Sequence, residues 1–340
     1  MKNITTTDIA RYCGISKATV SRYINGTANV GEKTADCIQE AIVRLNYRPN
    51  RIAQGLHTKQ SLSIAMVVND ISNPYTATYV KGAEQIAFEK RYNFILCNTG
   101  FDPEKEKNYV NGLLEKQIDG IIISPCGIIR HHIDEAVGKG VPVVFITRRV
   151  HDIEADYVRL DHADGSSKLI EHLLTLGHRK IAAIGREQFD DNFKNRLFGY
   201  QKLLWKHGIA LQPDYVYLGS ADMQSGYSAM ARFTHLSDPP TAVYASTIVQ
   251  ATGVLQYCIE HSIRIPQDLS VVSLESFLEM DSVFSPRLTT YIVPVPELGI
   301  RAAGMLFERI NGDKQPAREW VITGKLRVSE STAKRLEGDT

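Results

Sequence analysis

At 340 residues, with 39 Lys and Arg against 38 Asp and Glu, the chain is long enough for one small and two medium domains. No apolar run approaches the ~18 residues of a membrane span, and the polar N-terminus does not read as a signal peptide, which excludes a membrane protein and a periplasmic binding protein and points to the cytoplasm. The five cysteines, at 13, 37, 97, 126 and 258, are odd in number, never spaced C-x-x-C and mostly set in apolar patterns, so they read as reduced core thiols.

The first elements are two short helices. Thr6 or Thr7 can cap a helix that places Ile9, Ala10 and Cys13 on one face, and Gly14 ends it. Ser16 then caps a second helix that runs to Asn25-Gly26. Two short helices around a Gly-containing turn match the helix-turn-helix pattern. The second helix shows Lys17, Ala18, Thr19, Ser21, Arg22 and Asn25 outward. Short hydroxyls and amides suit phosphates, and cations suit base edges. A solvated helical hairpin with a charged face is the plain alternative. A third helix, from Glu32 to about Leu45, puts Ala35, Ile38, Ala41, Ile42 and Leu45 on one stripe, so three helices can share a minimal core. Up to Lys59, nine Lys and Arg stand against four Asp and Glu, so this section carries +5 and the remainder −4 within a chain of net +1. A basic head on a mildly acidic body is the electrostatic footprint of a nucleic-acid binder.

From Leu62 the pattern changes to short β-branched runs between amphipathic stretches. LSIAMVV, NFILCN, DGIIIS and PVVFIT read as strands of a buried, mainly parallel sheet, with helices at 75–91, 102–117 and 130–139. A second set begins near Val158: KIAAIG, YVYLG, TAVYAS and LSVVSL alternate with helices around 163–176, 194–207, 224–233 and 247–261. TTYIV and REWVIT flank a last helix at 297–312. The expected class is α/β, with a three-helix headpiece followed by two doubly wound parallel sheets. A cleft between two lobes is the usual place for a small ligand.

An α/β core of this size could also be an enzyme. It contains no G-x-S-x-G, no P-loop, no G-x-G-x-x-G after a strand and no H-E-x-x-H. Adjacent His131 and His132 point their rings apart and read as a solvated helix start rather than a metal site. His172 and His178 read as ordinary structural residues. No catalytic residue, metal or cofactor is expected.

SKATVSRYING, LNYRPN and NRIAQGL, in that order and spacing, resemble the headpiece of the LacI/GalR transcription regulators, and the resemblance extends over essentially the whole chain. It implies a headpiece at 1–49, a hinge at 50–60 and a periplasmic-binding-protein-like core at 61–340. The first lobe would take about 61–160 and 291–320, and the second about 161–290 and 321–340. The resemblance assigns base edges to Lys17, Ala18 and Arg22, and phosphates to Thr19, Ser21, Asn25, Thr34 and Asn50. Arg22 suits a bidentate pair with guanine, and Ala18 an apolar contact with a thymine methyl. Leu56 would wedge into the minor groove at the centre of a palindromic operator; its plain alternative is a linker or packing residue. Gly55 weakens so short a helix, which implies folding only on DNA.

For the effector cleft the resemblance implies Arg196 as the main ligand residue, with Asp70, Tyr75, Arg148, Asn192, Asp222 and Glu275 lining it. Arg196 could instead be the solvated start of a helix, and Asp70 and Asp222 loop or cap residues. Two departures from the family pattern bear on the effector. Thr247-Ile248 stands where many members have Asn-Asp, and Arg148-Arg149 where many have an acidic residue. The added cations favour an acidic effector, a sugar acid or its degradation product, with a neutral sugar as the alternative. The implied protein is a homodimeric repressor of carbohydrate catabolism genes, controlled by a sugar or sugar acid, and not a tetramer, because the chain ends at AKRLEGDT without a heptad tail. The competing reading is a two-lobed binding protein or enzyme with an incidental basic N-terminal domain.

Overall fold

A computed structural model describes residues 4–24, 30–47, 60–126, 131–148, 150, 153–186, 191–276 and 285–335. The chain forms two compact units, residues 1–62 and 63–340.

The first unit contains three helices: α1 (Thr6–Cys13), α2 (Lys17–Ile24) and α3 (Glu32–Arg44). The cap of α1 is Thr5, one residue before the expected threonines. Asp8, at the third helical position, accepts from the Thr5 N–H at 2.9 Å and from its hydroxyl at 2.7 Å, and these two bonds fix the start. Gly14 ends α1 at φ +65°, where a residue without Cβ is at ease. Ser16 Oγ then accepts from Thr19 N–H at 3.1 Å and starts α2. Ile9, Ala10, Val20, Ile38, Ala41 and Tyr47 are buried together as the core. Ile42 and Leu45, from the expected stripe, pack at its margin.

In the second unit two six-stranded sheets divide the chain. The first consists of β1 (Ser63–Val68), β2 (Asn93–Asn98), β3 (Gly120–Ile123), β4 (Val143–Ile146), β5 (Asp156–Leu160) and β11 (Glu319–Ile322), in the order β11-β5-β4-β3-β1-β2, all parallel. The second contains β6 (Ile181–Arg186), β7 (Val216–Gly219), β8 (Ala242–Ala245), β9 (Ser270–Ser276), β10 (Thr289–Ile292) and β12 (Lys325–Arg327), in the order β12-β10-β9-β8-β6-β7. It is parallel except for β12, which runs antiparallel to β10. The sheets are mainly parallel, as expected; the antiparallel edge strand, three residues with no apolar run, carries no signal in the sequence. The segment around Val158, expected to open the second set, closes the first sheet instead, paired to β4 and β11.

Helices cover the sheets: α4 (Pro74–Glu89), α5 (Pro103–Glu115), α6 (His131–Gly138) and α11 (Val295–Ile310) with the first, and α7 (His162–Thr175), α8 (Asp191–Lys206), α9 (Met223–Thr234) and α10 (Ile248–Glu260) with the second. α4 and α11 pack against each other at close range. A Cβ on Gly299 would lie 1.8 Å from the Tyr79 carbonyl oxygen, so the approach requires glycine.

The chain passes between lobes after 160, between 292 and 295, and between 322 and 325, the second about two residues later than expected. The three crossings are bonded to one another. Asp161 N–H donates to Ile322 O at 3.0 Å, Gly324 N–H donates to the Tyr291 hydroxyl at 2.6 Å, and that hydroxyl donates to Asp164 Oδ2 at 2.6 Å. Among the described residues no helix is long and apolar enough to cross a membrane.

Candidate functional site

Two surfaces carry the predicted residues. On the first unit, Val20 turns α2 inward, which leaves Lys17, Ala18 and Arg22 exposed on the opposite side. Thr19 and Ser21 are half-buried beside them, and the Thr19 hydroxyl lies 2.8 Å from Ser16 Oγ. Thr34 is half-buried in the first turn of α3. Asn25, Asn50 and Leu56 lie outside the described residues. Arg44 stands 5.8 Å over the Tyr12 ring and donates to its hydroxyl at 2.9 Å, which ties α3 to α1 behind the α2 face.

On the second unit, a cavity of about 440 Å³ opens beyond the C-terminal ends of strands from both sheets. This is where ligands enter open parallel sheets. Asp70, Tyr75, Arg148, Asn192, Arg196 and Asp222 all line it. Glu275 lies on β9, and its side chain is outside the described residues.

The local folding of each residue explains its place. Asp70 follows β1 and accepts from the Ser72 N–H and hydroxyl at 2.9 and 2.7 Å, an Asx turn that shapes the rim. Asn73 caps α4 through the Tyr75 N–H, and the Tyr75 ring meets Tyr79 edge to face at 5.6 Å. Asp222 caps α9 by accepting from Ser225 N–H at 2.8 Å. For Asp70 and Asp222, then, a turn and a cap role coexist with the lining of the cavity.

Arg196 is only 6% exposed, which removes the solvated-helix-start alternative. It donates through Nη1 to Ser246 O at 2.6 Å, and its guanidinium stands 4.7 Å from the centre of the Phe193 ring. Arg148 is placed by backbone strain. Thr147, at the end of β4, has φ +68°, and the Arg148 N–H returns to Ile146 O at 2.8 Å, closing a γ-turn that ends the strand at the cavity wall.

Several lining residues were not anticipated. Arg186, at the end of β6, brings a third guanidinium, 5.3 Å from the Phe193 ring centre. His162, at the start of α7, is buried. Its burial, and then the charges of Arg196 and Arg159, hold it well below the usual histidine range, so it is neutral. Among the described lining residues, three guanidinium groups thus accompany two carboxylates. Buried Gln250 fixes this lobe's rim by donating to Gly185 O and Ser220 O, both at 3.0 Å. A rule that residues just past parallel strands face the ligand would have found Asn69, Ser124, Thr147 and Arg186, all of which line the cavity.

Behind the first-lobe wall runs a chain of polar contacts. Asn69 Nδ2 donates to Ser124 Oγ at 3.3 Å, Ser124 Oγ is 2.9 Å from Thr147 Oγ1, and the Cys126 thiol donates to Asn69 Oδ1 at 3.0 Å. Cys126 N–H in turn donates to Glu106, whose other oxygen is 2.8 Å from His132 Nε2. This corrects the reading of the His131-His132 pair. His131 is exposed, but His132 is buried against a buried carboxylate, because α5 presents Glu106 to α6. His178 is likewise held, by Thr241 at 3.0 Å and Ala333 O at 3.2 Å. All five cysteines are free thiols. Burial pushes Cys126 and Cys258 up to about 12, which leaves them unreactive. Among the described residues no group of three His, Cys, Asp or Glu could hold a metal ion.

Comparisons with known proteins cover both units. Residues 5–50 match the model of bacterial regulatory proteins of the lacI family, and residues 170–332 that of the periplasmic binding protein-like domain. Catabolite control protein A of Priestia megaterium is 30% identical over 331 residues, covering 97% of this chain and 99% of its own. The HTH-type transcriptional regulator RegA of Clostridium saccharobutylicum is 33% identical over 327 residues, covering 96% and 98%. Among solved structures, the lac repressor dimer bound to operator and the anti-inducer ONPF superposes with a TM-score of 0.86 at 27% identity, covering 98% of this chain and all of that one. A complex of the regulator CelR with cellobiose gives 0.72 at 26%, covering 97% and 100%. These relatives are transcriptional regulators, not enzymes, and the chain belongs to the LacI family of DNA-binding regulators.

Proposed function

We propose that this regulator binds a palindromic operator as a homodimer in the cytoplasm and controls carbohydrate catabolism genes in response to a small acid bound in the cleft. Its solved relatives hold operator DNA as a dimer or a sugar, and two copies of the α2 face suit two half-sites. Lys17, Ala18 and Arg22 read bases, while Thr19, Ser21, Asn25, Thr34 and Asn50 hold phosphates. Leu56 serves as the minor-groove wedge from a linker at 50–60.

The observation that carries the effector reading is the set of three cations that line one cavity. Arg148 comes from the first lobe, Arg186 and Arg196 from the second, and all three line one cavity. A carboxylate between them is bridged from both sides, so binding the acid favours closing of the lobes. Asp70, Tyr75, Asn192, Asp222 and Glu275 bind the ligand's remaining groups. Any change in DNA affinity on binding the acid is matched by an equal change in acid affinity on binding DNA.

The test is calorimetric titration of the full-length protein with D-gluconate and D-glucose. Charge-assisted hydrogen bonds to the acid should favour D-gluconate by about tenfold to a hundredfold. Arg148→Asp should remove most of that preference. Equal affinity for both ligands, or full D-gluconate affinity in the variant, contradicts the acidic reading.

A further inference from the structure

The three crossings between the lobes meet on one buried side chain. Tyr291 is 1% exposed, and its hydroxyl accepts from the Gly324 N–H and donates to Asp164 Oδ2, both at 2.6 Å. Asp164 lies just after the first crossing, Tyr291 just before the second, and Gly324 on the third. Asp164 is itself held. Its N–H donates to Asp161 Oδ1 at 2.9 Å, and its Oδ2 accepts from Lys168 Nζ at 2.7 Å, an ammonium that stands 5.5 Å from the Tyr291 ring centre. Two glycines enclose the ring: a Cβ on Gly165 would lie 2.7 Å from its Cδ1, and one on Gly324 2.8 Å from its Cε1. On the first-lobe side, Asp161 N–H donates to Ile322 O at 3.0 Å and continues the pairing of β5 with β11. At the second crossing, Val295 N–H returns to Val293 O at 2.9 Å, an inverse γ-turn with Pro294 at φ −77° and ψ 73°.

Two lobes rotate against each other by changing backbone torsions in the segments that join them, and these contacts leave few torsions free. Ile322 is fixed to the first lobe and Gly324 to the second, with Thr323 between them. Asp161 and Asp164 are bonded to each other across the first crossing, and the Pro294 ring fixes a torsion of the second. We propose that the Tyr291 hydroxyl is a latch on the interlobe hinge: its bonds to Gly324 and Asp164 hold the three crossings in register, and breaking them frees the lobes to turn. Neither Tyr291 nor Asp164 lines the cavity, so the latch sets the angle between the lobes without touching a ligand. His162, between Asp161 and Asp164, does line it, which places the cavity wall directly beside the latch. The latch holds for any cleft ligand, acidic or neutral.

The experiment is hydrogen–deuterium exchange of the full-length protein and its Tyr291→Phe variant, without ligand. The substitution keeps the enclosed ring and removes the hydroxyl, which leaves the Gly324 N–H without its acceptor and Asp164 without its donor. The segments holding the Asp161, Val295 and Gly324 amides, one bonded amide per crossing, should all exchange about tenfold to a hundredfold faster. Protection of β1 and β6, inside the two lobes, should stay as in the parent protein. Faster exchange at Gly324 alone would reduce the hydroxyl to a local bond and overturn the latch. Unchanged exchange at all three crossings overturns it as well, and so does a uniform acceleration that includes β1 and β6, which marks a general loss of stability. Asp164→Ala is the second variant, judged by the same pattern if Tyr291→Phe does not fold. Its side chain is 30% exposed, so truncation breaks the latch without emptying the core.

Discussion

The headpiece and the core hold their functional residues by opposite means. Among the described residues of the headpiece six buried side chains, Ile9, Ala10, Val20, Ile38, Ala41 and Tyr47, support the three helices, and the proposed readers Lys17, Ala18 and Arg22 stand out in solvent from α2. In the core, two sheets bury whole strands, and several cleft residues are tied into the fold: buried Arg196 to Ser246 O, half-buried Thr147 to Ser124, and Asp222, although exposed, to the start of α9. A reader on an exposed helix can therefore be exchanged without disturbing the fold that carries it. Arg196, Thr147 and Asp222 cannot, because their bonds shape the strand and helix ends around them.

The largest difference should appear on core substitution. Ile38→Ala empties a fully buried position in the minimal headpiece core. Such truncations cost about 2–5 kcal/mol, a large part of the stability of a domain this small. Calorimetry should show the headpiece transition lost or displaced far downward, with the core transition unmoved. A shared shift of both transitions would show that the two units do not unfold independently.

Arg22→Ala tests the exposed side of the comparison. Losing one bidentate base contact should weaken operator binding by about 1–3 kcal/mol and relax the preference at one base pair. Melting should move by less than about 0.5 kcal/mol, as for other surface changes. A stability loss comparable to that of Ile38→Ala would place Arg22 in the fold rather than on the DNA surface.

The smallest effect is the response to pH. His162, His172 and His178 in the core are all held below the ordinary value of 6.5 by burial, with nearby cations adding to the effect at His162 and His178. The unfolded chain then binds more protons than the folded core below about 6.5, so stability rises with pH through that range and is lost as pH falls below it. The described headpiece residues include no histidine. Scans at pH 7.5 and 5.5 should lower the core transition more than the headpiece transition; the reverse order would break the contrast.

Much of this was legible in the sequence because buried strands and amphipathic helices write their own periods. Runs such as LSIAMVV and DGIIIS correspond to β1 and β3, which are almost wholly buried. β12 was not legible, since Lys325–Arg327 gains its strand geometry only from pairing with β10. The cleft was partly legible: matching to the family pattern found Arg148 and Arg196 but not Arg186, whose position depends on where β6 ends. His132 was misread because its partner Glu106 lies on another helix. A buried pair of this kind leaves no local mark, and an acidic residue in the first turn of α5 looks like any solvated charge.

The account's central claim is that an acid in the cleft changes the hold on DNA. The direct measurement is the affinity of the full-length protein for an inverted-repeat operator, recovered by enrichment from genomic DNA, with and without saturating D-gluconate. Coupling of about 1–3 kcal/mol predicts a change of roughly 5- to 150-fold. Unchanged operator affinity with the acid demonstrably bound would contradict the claim.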